Sequence, residues 1–276
     1  MTLRPHKMKC TILCILAVLA GCANISPQSR WQHAAQLTAE AGWQKLRLPT
    51  AHFVLVAYVP PPVAQSGTLT IYIEGDGFAW ITSSQVSADP TPRNPVALEL
   101  ALRHPQGAAA YLARPCQFVD AADARNCQPA FWTDRRFSRE VIEASDQAIS
   151  TLKQRVGAQR LILVGYSGGG AVAALVAARR SDVVQLVTVA GNLDHRAWTE
   201  EHHVPPLTGS LNPVDEWRAL LNVPQRHFVG ARDEIVSRAV VESYAARFPL
   251  AQRPQVISIP GFDHVCCWVE QWGKLF

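Results

Sequence analysis

The sequence predicts an α/β domain, a mostly parallel central sheet with helices on both faces. Three observations carry this expectation. Short runs rich in β-branched residues alternate with stretches of helical periodicity, the pattern that sets crossover helices between parallel strands. Two of those runs, 160–164 (R-L-I-L-V) and 183–189 (V-V-Q-L-V-T-V), read as strands covered on both sides. The 276 residues are 48% hydrophobic and 17% charged, enough for one large core, and no repeat or low-complexity block divides them. The same composition excludes intrinsic disorder, collagen, coiled coil and a small disulfide scaffold. A formal net charge of +4 offers no basic stripe for nucleic acid.

Residues 1–21 have the make-up of a secretory signal. Arg4, Lys7 and Lys9 precede the apolar run T-I-L-C-I-L-A-V-L-A at 11–20, too short to remain as a membrane-spanning helix. The run leads into Leu19-Ala20-Gly21-Cys22, which resemble a bacterial lipobox, in which the cysteine is acylated and becomes the first mature residue. That resemblance implies an exported protein held to the membrane by a lipid on Cys22, without a spanning segment. Ala23 at the next position implies the periplasmic side of the outer membrane. Removal of the segment takes three basic and no acidic residues, leaving a net charge of +1.

Of seven cysteines, Cys10 and Cys14 leave with the signal and Cys22 is used by the lipid. Cys116, Cys127, Cys266 and Cys267 remain, an even number in an oxidising compartment. Cys116 and Cys127 bracket a polar loop and are expected to pair. Cys266 and Cys267 either bridge as neighbours or stay free. Zinc spacing is missing, so no metal is expected.

Along the mature chain, residues 22–50 read as a tether and N-terminal segment, and 51–276 as the domain. Residues 52–59 form a strand stopped by prolines at 60–62. Residues 68–74 (T-L-T-I-Y-I-E) form another, halted at Gly75-Asp76-Gly77, and 108–113 a third. Ser138 is placed to cap a helix through Val156, on which Val141, Ile142, Ser145, Ile149 and Leu152 recur at helical spacing. After strand 160–164 comes an Ala-rich helix, 168–180. Strand 183–189, strand 225–230, a helix at 237–247 and strand 255–259 complete the series. Stretches 77–107, 114–137 and 191–222 fall outside this rhythm. Each follows the carboxyl end of a strand, where open α/β sheets bind ligands.

Chemistry gathers at those strand ends. Gly165-Tyr166-Ser167-Gly168-Gly169 is a G-x-S-x-G set between an apolar strand and a helix, where a sharp turn would expose the hydroxyl at the helix N-terminus. A serine hydroxyl needs a base, and the base an orienting carboxylate. Asp233 follows strand 225–230 and His264 follows strand 255–259, giving the order Ser…Asp…His.

On these residues the sequence resembles an α/β-hydrolase over residues 50–276. The resemblance implies Ser167 as nucleophile, His264 as general base and then acid, and Asp233 as the carboxylate, with Asp194 as the rival acid one strand earlier. It implies an oxyanion hole from the Gly168 amide and the turn after strand 68–74, by position Asp76, with Gly77 adjacent. The family carries His-Gly there, and Glu74 stands in place of that histidine. Asp263 is expected to turn away and cap or pair locally, and Glu234 to be solvated. His195, His202 and His203 are expected at the surface or mouth. The run Trp132-Thr133-Asp134-Arg135-Arg136 mixes charge signs and is expected to satisfy itself, the alternative being a carboxylate clamp.

The implied activity is a secreted, lipid-anchored serine hydrolase cleaving a small or medium carboxylic ester through an acyl-enzyme, with no cofactor and no nucleic-acid partner. A serine peptidase or thioesterase on the same scaffold, or a non-catalytic ligand-binding lipoprotein, stays open, as does oligomeric state.

Overall fold

The computed structural model describes residues 26–61 and 67–276. The expected signal segment, its lipobox and Cys22 lie outside the described residues.

Among the described residues eight strands form one sheet: β1 (Gln44–Pro49), β2 (Val54–Val59), β3 (Thr68–Ile73), β4 (Ala108–Leu112), β5 (Arg160–Tyr166), β6 (Val183–Val189), β7 (Gln225–Gly230) and β8 (Gln255–Ile259). Their spatial order is β1-β2-β4-β3-β5-β6-β7-β8. β1 and β2 pair antiparallel, as do β2 and β4, and every later pairing is parallel. Carboxyl ends of β3 through β8 therefore lie along one rim.

Side chains alternate along the central strands and feed two separate cores. From β3, Leu69, Ile71 and Ile73 enter one cluster while Tyr72 enters the other. From β5, Leu161 and Leu163 go to the first and Val164 and Tyr166 to the second. Helices α3 (Arg139–Val156), α4 (Gly168–Ala177) and α6 (Arg238–Ala245) cover the first core. Helices α1 (Pro27–Glu40), α2 (Val96–Leu102) and α7 (Trp268–Leu275) contribute to the second. The remaining helix, α5 (His195–Glu201), follows β6 on the carboxyl rim.

All five residues whose spacing predicted helix α3 are buried, joined by Ala144 and Ala148. Ser138 occupies the N-cap position, but its hydroxyl makes no capping hydrogen bond. The helix stops at Gly157, whose φ of 69° suits glycine, with Lys153 and Arg155 in the last turn favouring the dipole's negative end.

Two expectations are corrected. Residues 27–49, read as a tether, supply α1 and the edge strand β1. Helix α1 buries only Arg30, Ala34 and Thr38, and β1 buries only Leu48, so neither writes an apolar period into the sequence. Stretch 77–107, read as irregular, contains α2. Five of its seven residues are buried, a pattern too short and too uniformly apolar to show a period.

Cys116 and Cys127 have their sulfurs at bonding distance, with Cα atoms 5.6 Å apart, and tie the loop after β4. The adjacent Cys266 and Cys267 are joined likewise, just before α7. Among the described residues no helix is long and apolar enough to cross a membrane.

Candidate active site

Strand β5 runs to Tyr166, the chain turns at Ser167, and α4 begins at Gly168. Ser167 has φ 51° and ψ −123°, a backbone state costing about 1–3 kcal/mol for a residue with a side chain. Three main-chain hydrogen bonds hold it there. Its N–H donates to Val189 O at 2.9 Å, and its carbonyl accepts from Gly170 N at 2.9 Å and Asn192 N at 3.1 Å. The turn is so tight that a Cβ at Gly165 would overlap the backbone of Gly169, and one at Gly169 the backbone of Ile73 and Glu74. Glycine at both positions is a steric requirement of the elbow.

His264 reaches that hydroxyl from the loop after β8. Its Nε2 lies 3.0 Å from Ser167 Oγ, and its Nδ1 lies 2.9 Å and 3.1 Å from the two oxygens of Asp233. The Asp233 side chain, from the loop after β7, is wholly inaccessible to solvent. Its Oδ1 also accepts from Ile235 N and Val236 N, each at 2.9 Å. An ionised carboxylate can only accept, so it holds the proton on Nδ1 and leaves the Nε2 lone pair facing the hydroxyl. The His264 carbonyl is fixed in turn by Tyr166 Oη at 3.1 Å and the Trp268 indole at 3.2 Å. A base so held can take the serine proton during attack on a carbonyl.

No family model and no curated protein matches the sequence. Solved structures do match the fold. Est1E from Butyrivibrio proteoclasticus is 13% identical with a TM-score of 0.56, over 84% of this chain and 95% of that one. A serine hydrolase without lid from Xanthomonas campestris is 16% identical with a TM-score of 0.54, over 84% and 91%. A Pyrococcus furiosus esterase is 14% identical with a TM-score of 0.56, over 84% and 88%.

The chain has the α/β-hydrolase fold.

Within this hydrolase fold the rival acid Asp194 does other work. Its carboxylate caps α5 through Arg196 N and Ala197 N, accepts from Asn212 Nδ2 at 2.8 Å, and accepts from Ser243 Oγ at 3.0 Å. Asp263 caps its own turn through Val265 N and Cys266 N, and Glu234 is exposed. His203 is exposed and His202 half-buried, but His195 departs from its expected surface position. It is 5% exposed and stacked on Phe137.

The turn after β3 passes beside the serine: a Cβ on Gly75 would lie 3.3 Å from Ser167 Cβ. Gly168 opens α4, where N–H groups have no intrahelical partner. Among the described residues, the amides of Asp76 and Gly77 also donate to no protein group. Glu74 makes the turn before them. It is 1% exposed and accepts from Gly75 N at 2.9 Å and from Tyr111 Oη at 3.1 Å. Burial raises its pKa from 4.5 to about 7, despite those hydrogen bonds.

Between about pH 4.5 and 7 the unfolded chain ionises Glu74 while the native chain keeps it protonated, so native stability falls as pH rises through that window, by roughly 3 kcal/mol. Glu74→Gln should remove this slope. Chemical-denaturation curves at pH 5 and 8 should show wild type losing more stability than the variant, and parallel losses would contradict the assignment.

The arginine pair does not satisfy itself within its own run. Arg135 binds Glu140 at 2.5 Å, but Arg136 ignores neighbouring Asp134 and binds Asp76 Oδ2 at 2.7 Å. Arg114 binds Asp76 Oδ1 at 3.1 Å. Gln117 Nε2 donates to Gly75 O at 3.0 Å. Arg114 and Gln117 carried no signal in the sequence, because their partners lie on a different strand end. Among the described residues, no group of three His, Cys, Asp or Glu side chains is arranged to hold a metal.

Proposed function

We propose that the chain is a serine hydrolase of carboxylic esters. The observation that carries this reading is the relay from Oγ of the half-buried Ser167 to His264 Nε2 at 3.0 Å and from Nδ1 to the buried Asp233 at 2.9 Å. Esterases among the structures of like fold support it at the level of architecture.

In the proposed reaction Ser167 Oγ bonds to the ester carbonyl carbon as its proton passes to His264 Nε2. The carbonyl oxygen, now negative, sits against the amides of Gly168 and Asp76. The C–O bond to the alcohol breaks, and His264 returns its proton to the departing oxygen. Water then attacks the acyl-enzyme with His264 again as base, releasing the acid and restoring the serine. Asp233 steadies the imidazolium in both halves.

Labelling by a fluorophosphonate tests this: one label per chain, located at Ser167, is the expected result. No label on well-folded protein would leave a ligand-binding module instead. A panel of p-nitrophenyl esters beside aminoacyl anilides separates esterase from peptidase.

The basic, apolar and small-residue order of positions 4–22 supports an envelope lipoprotein anchored through Cys22. Cys22→Ser should then abolish incorporation of labelled fatty acid and release the protein from membranes. Undiminished membrane retention would overturn the anchor.

A further inference from the structure

We infer that Arg114 and Arg136 are positioning residues: gripping the Asp76 carboxylate from two sides, they hold the turn after β3 against Gly168 so that its free amide completes the oxyanion hole. The inference rests on the serine-hydrolase reading above.

Three segments meet at this carboxylate. Asp76 follows β3, Arg114 follows β4, and Arg136 lies between the 3₁₀ turn at Pro129–Trp132 and α3. Each guanidinium takes one carboxylate oxygen, at 3.1 Å and 2.7 Å. The arginine side chains are only 5% and 8% exposed, so water does not compete for them.

They are also tied to one another. Arg114 donates to the carbonyl of Arg136, and Arg136 Nε donates to Thr133 O at 2.5 Å. Gln117 closes the set, accepting from Arg114 N at 3.1 Å while donating to Gly75 O. Turn 74–77 is therefore held at both Gly75 and Asp76.

The carboxylate lies directly over Gly168. A Cβ there would overlap Asp76 Oδ1 and Cγ, far inside the 3.0 Å that such atoms keep. Glycine after the nucleophile thus leaves room for a charged group in the space a side chain would fill. An uncompensated anion at this spot would oppose charge developing on a substrate oxygen. Two guanidiniums reverse the local sign. Burial pushes the Asp76 pKa up, but Arg136 and Arg114 outweigh burial and keep it below its ordinary value, so the acid stays ionised and gripped. Taking two guanidiniums and most of a carboxylate out of water is costly, and an apolar cluster of equal volume would often be more stable. A role at the neighbouring reaction centre accounts for their presence.

The test uses the full folded domain, p-nitrophenyl acetate, and active-site titration with a fluorophosphonate, so that rates are expressed per labelled serine. Arg136→Met should lower kcat about 100-fold, the scale of a lost oxyanion donor, with KM changed less than about twofold. Arg136→Lys, which keeps one charged contact, should restore about a tenth of the wild-type kcat or more. Asp76→Asn should lose at least about tenfold, and Asp76→Asn combined with Arg136→Met should be no worse than Arg136→Met alone, since both act on one contact. If Arg136→Met does not fold, Asp76→Asn and Arg136→Lys carry the comparison, because both preserve side-chain volume.

A merely structural cluster would reduce the fraction of chains that label and leave kcat per labelled serine unchanged, and that result would overturn the clamp alone. Wild-type protein that takes no label would overturn the hydrolase reading and the clamp together.

Discussion

Replacing Ser167 by alanine should lower ester turnover by about 10⁶-fold and abolish fluorophosphonate labelling, while leaving the fold intact. The size of the loss follows from how little else can act. Among the described residues, His264 Nε2 has Ser167 Oγ as its one hydroxyl partner, so no second alcohol is in position to take over attack. What should survive is the weak assistance that the proposed oxyanion amides give to attack by water. The stability cost should be about 1 kcal/mol or less, because among the described residues Oγ bonds to His264 alone. Alanine inherits the same Cβ and the same φ of 51°, and the main-chain bonds to Val189, Gly170 and Asn192 do not depend on the hydroxyl. Turnover on p-nitrophenyl acetate and a melting curve, measured on the same preparation, decide the matter. Retained turnover in a preparation free of wild type would place the chemistry at another residue.

Much of this site was legible in the sequence, and the reason is topological. Parallel strands put their carboxyl ends on one rim, so residues immediately after β5, β7 and β8 are brought together by the alternation of strands and helices alone. Ser167, Asp233 and His264 each follow a strand whose apolar run is plain in the sequence.

Where strands gave no such cue, legibility failed. Arg114 and Arg136 lie 38 and 60 residues from Asp76, in loops whose paths depend on tertiary packing. The local mixture of charges around Arg136 pointed to Asp134, yet Asp134 is exposed and the guanidinium turns inward to the less solvated Asp76. His195 misled for a related reason. Its polar neighbours suggested a surface loop, whereas His195 opens α5 with its imidazole buried and stacked on Phe137. Helix α1 and strand β1 were missed because each touches the body of the protein through few apolar residues, and periodicity reports only burial that is apolar and repeated.

Asp233→Asn carries the second large effect, about a 10⁴-fold loss in kcat with the site geometry unchanged. The carboxamide has the shape of the carboxylate it replaces, and its oxygen can keep the two bonds from Ile235 N and Val236 N, which converge on Oδ1. That leaves the amide NH₂ facing His264 Nδ1, where the carboxylate oxygen lay at 2.9 Å. Two donors cannot face each other, so Nδ1 must become the acceptor and the ring proton must move to Nε2. An imidazole protonated at Nε2 donates to Ser167 Oγ and cannot take its proton. Asp194→Asn is the matched control. Asp194 also follows a strand and is also buried, but its partners are the α5 amides, Asn212 and Ser243; asparagine caps a helix as well as aspartate and keeps the bonds that converge on Oδ1, so stability should change little and kcat should stay within a few-fold of wild type. Steady-state kinetics on both variants discriminate between the two acids. Equal losses, or a larger one at position 194, would mean that the tautomer of His264 is set by something other than the carboxylate beside it.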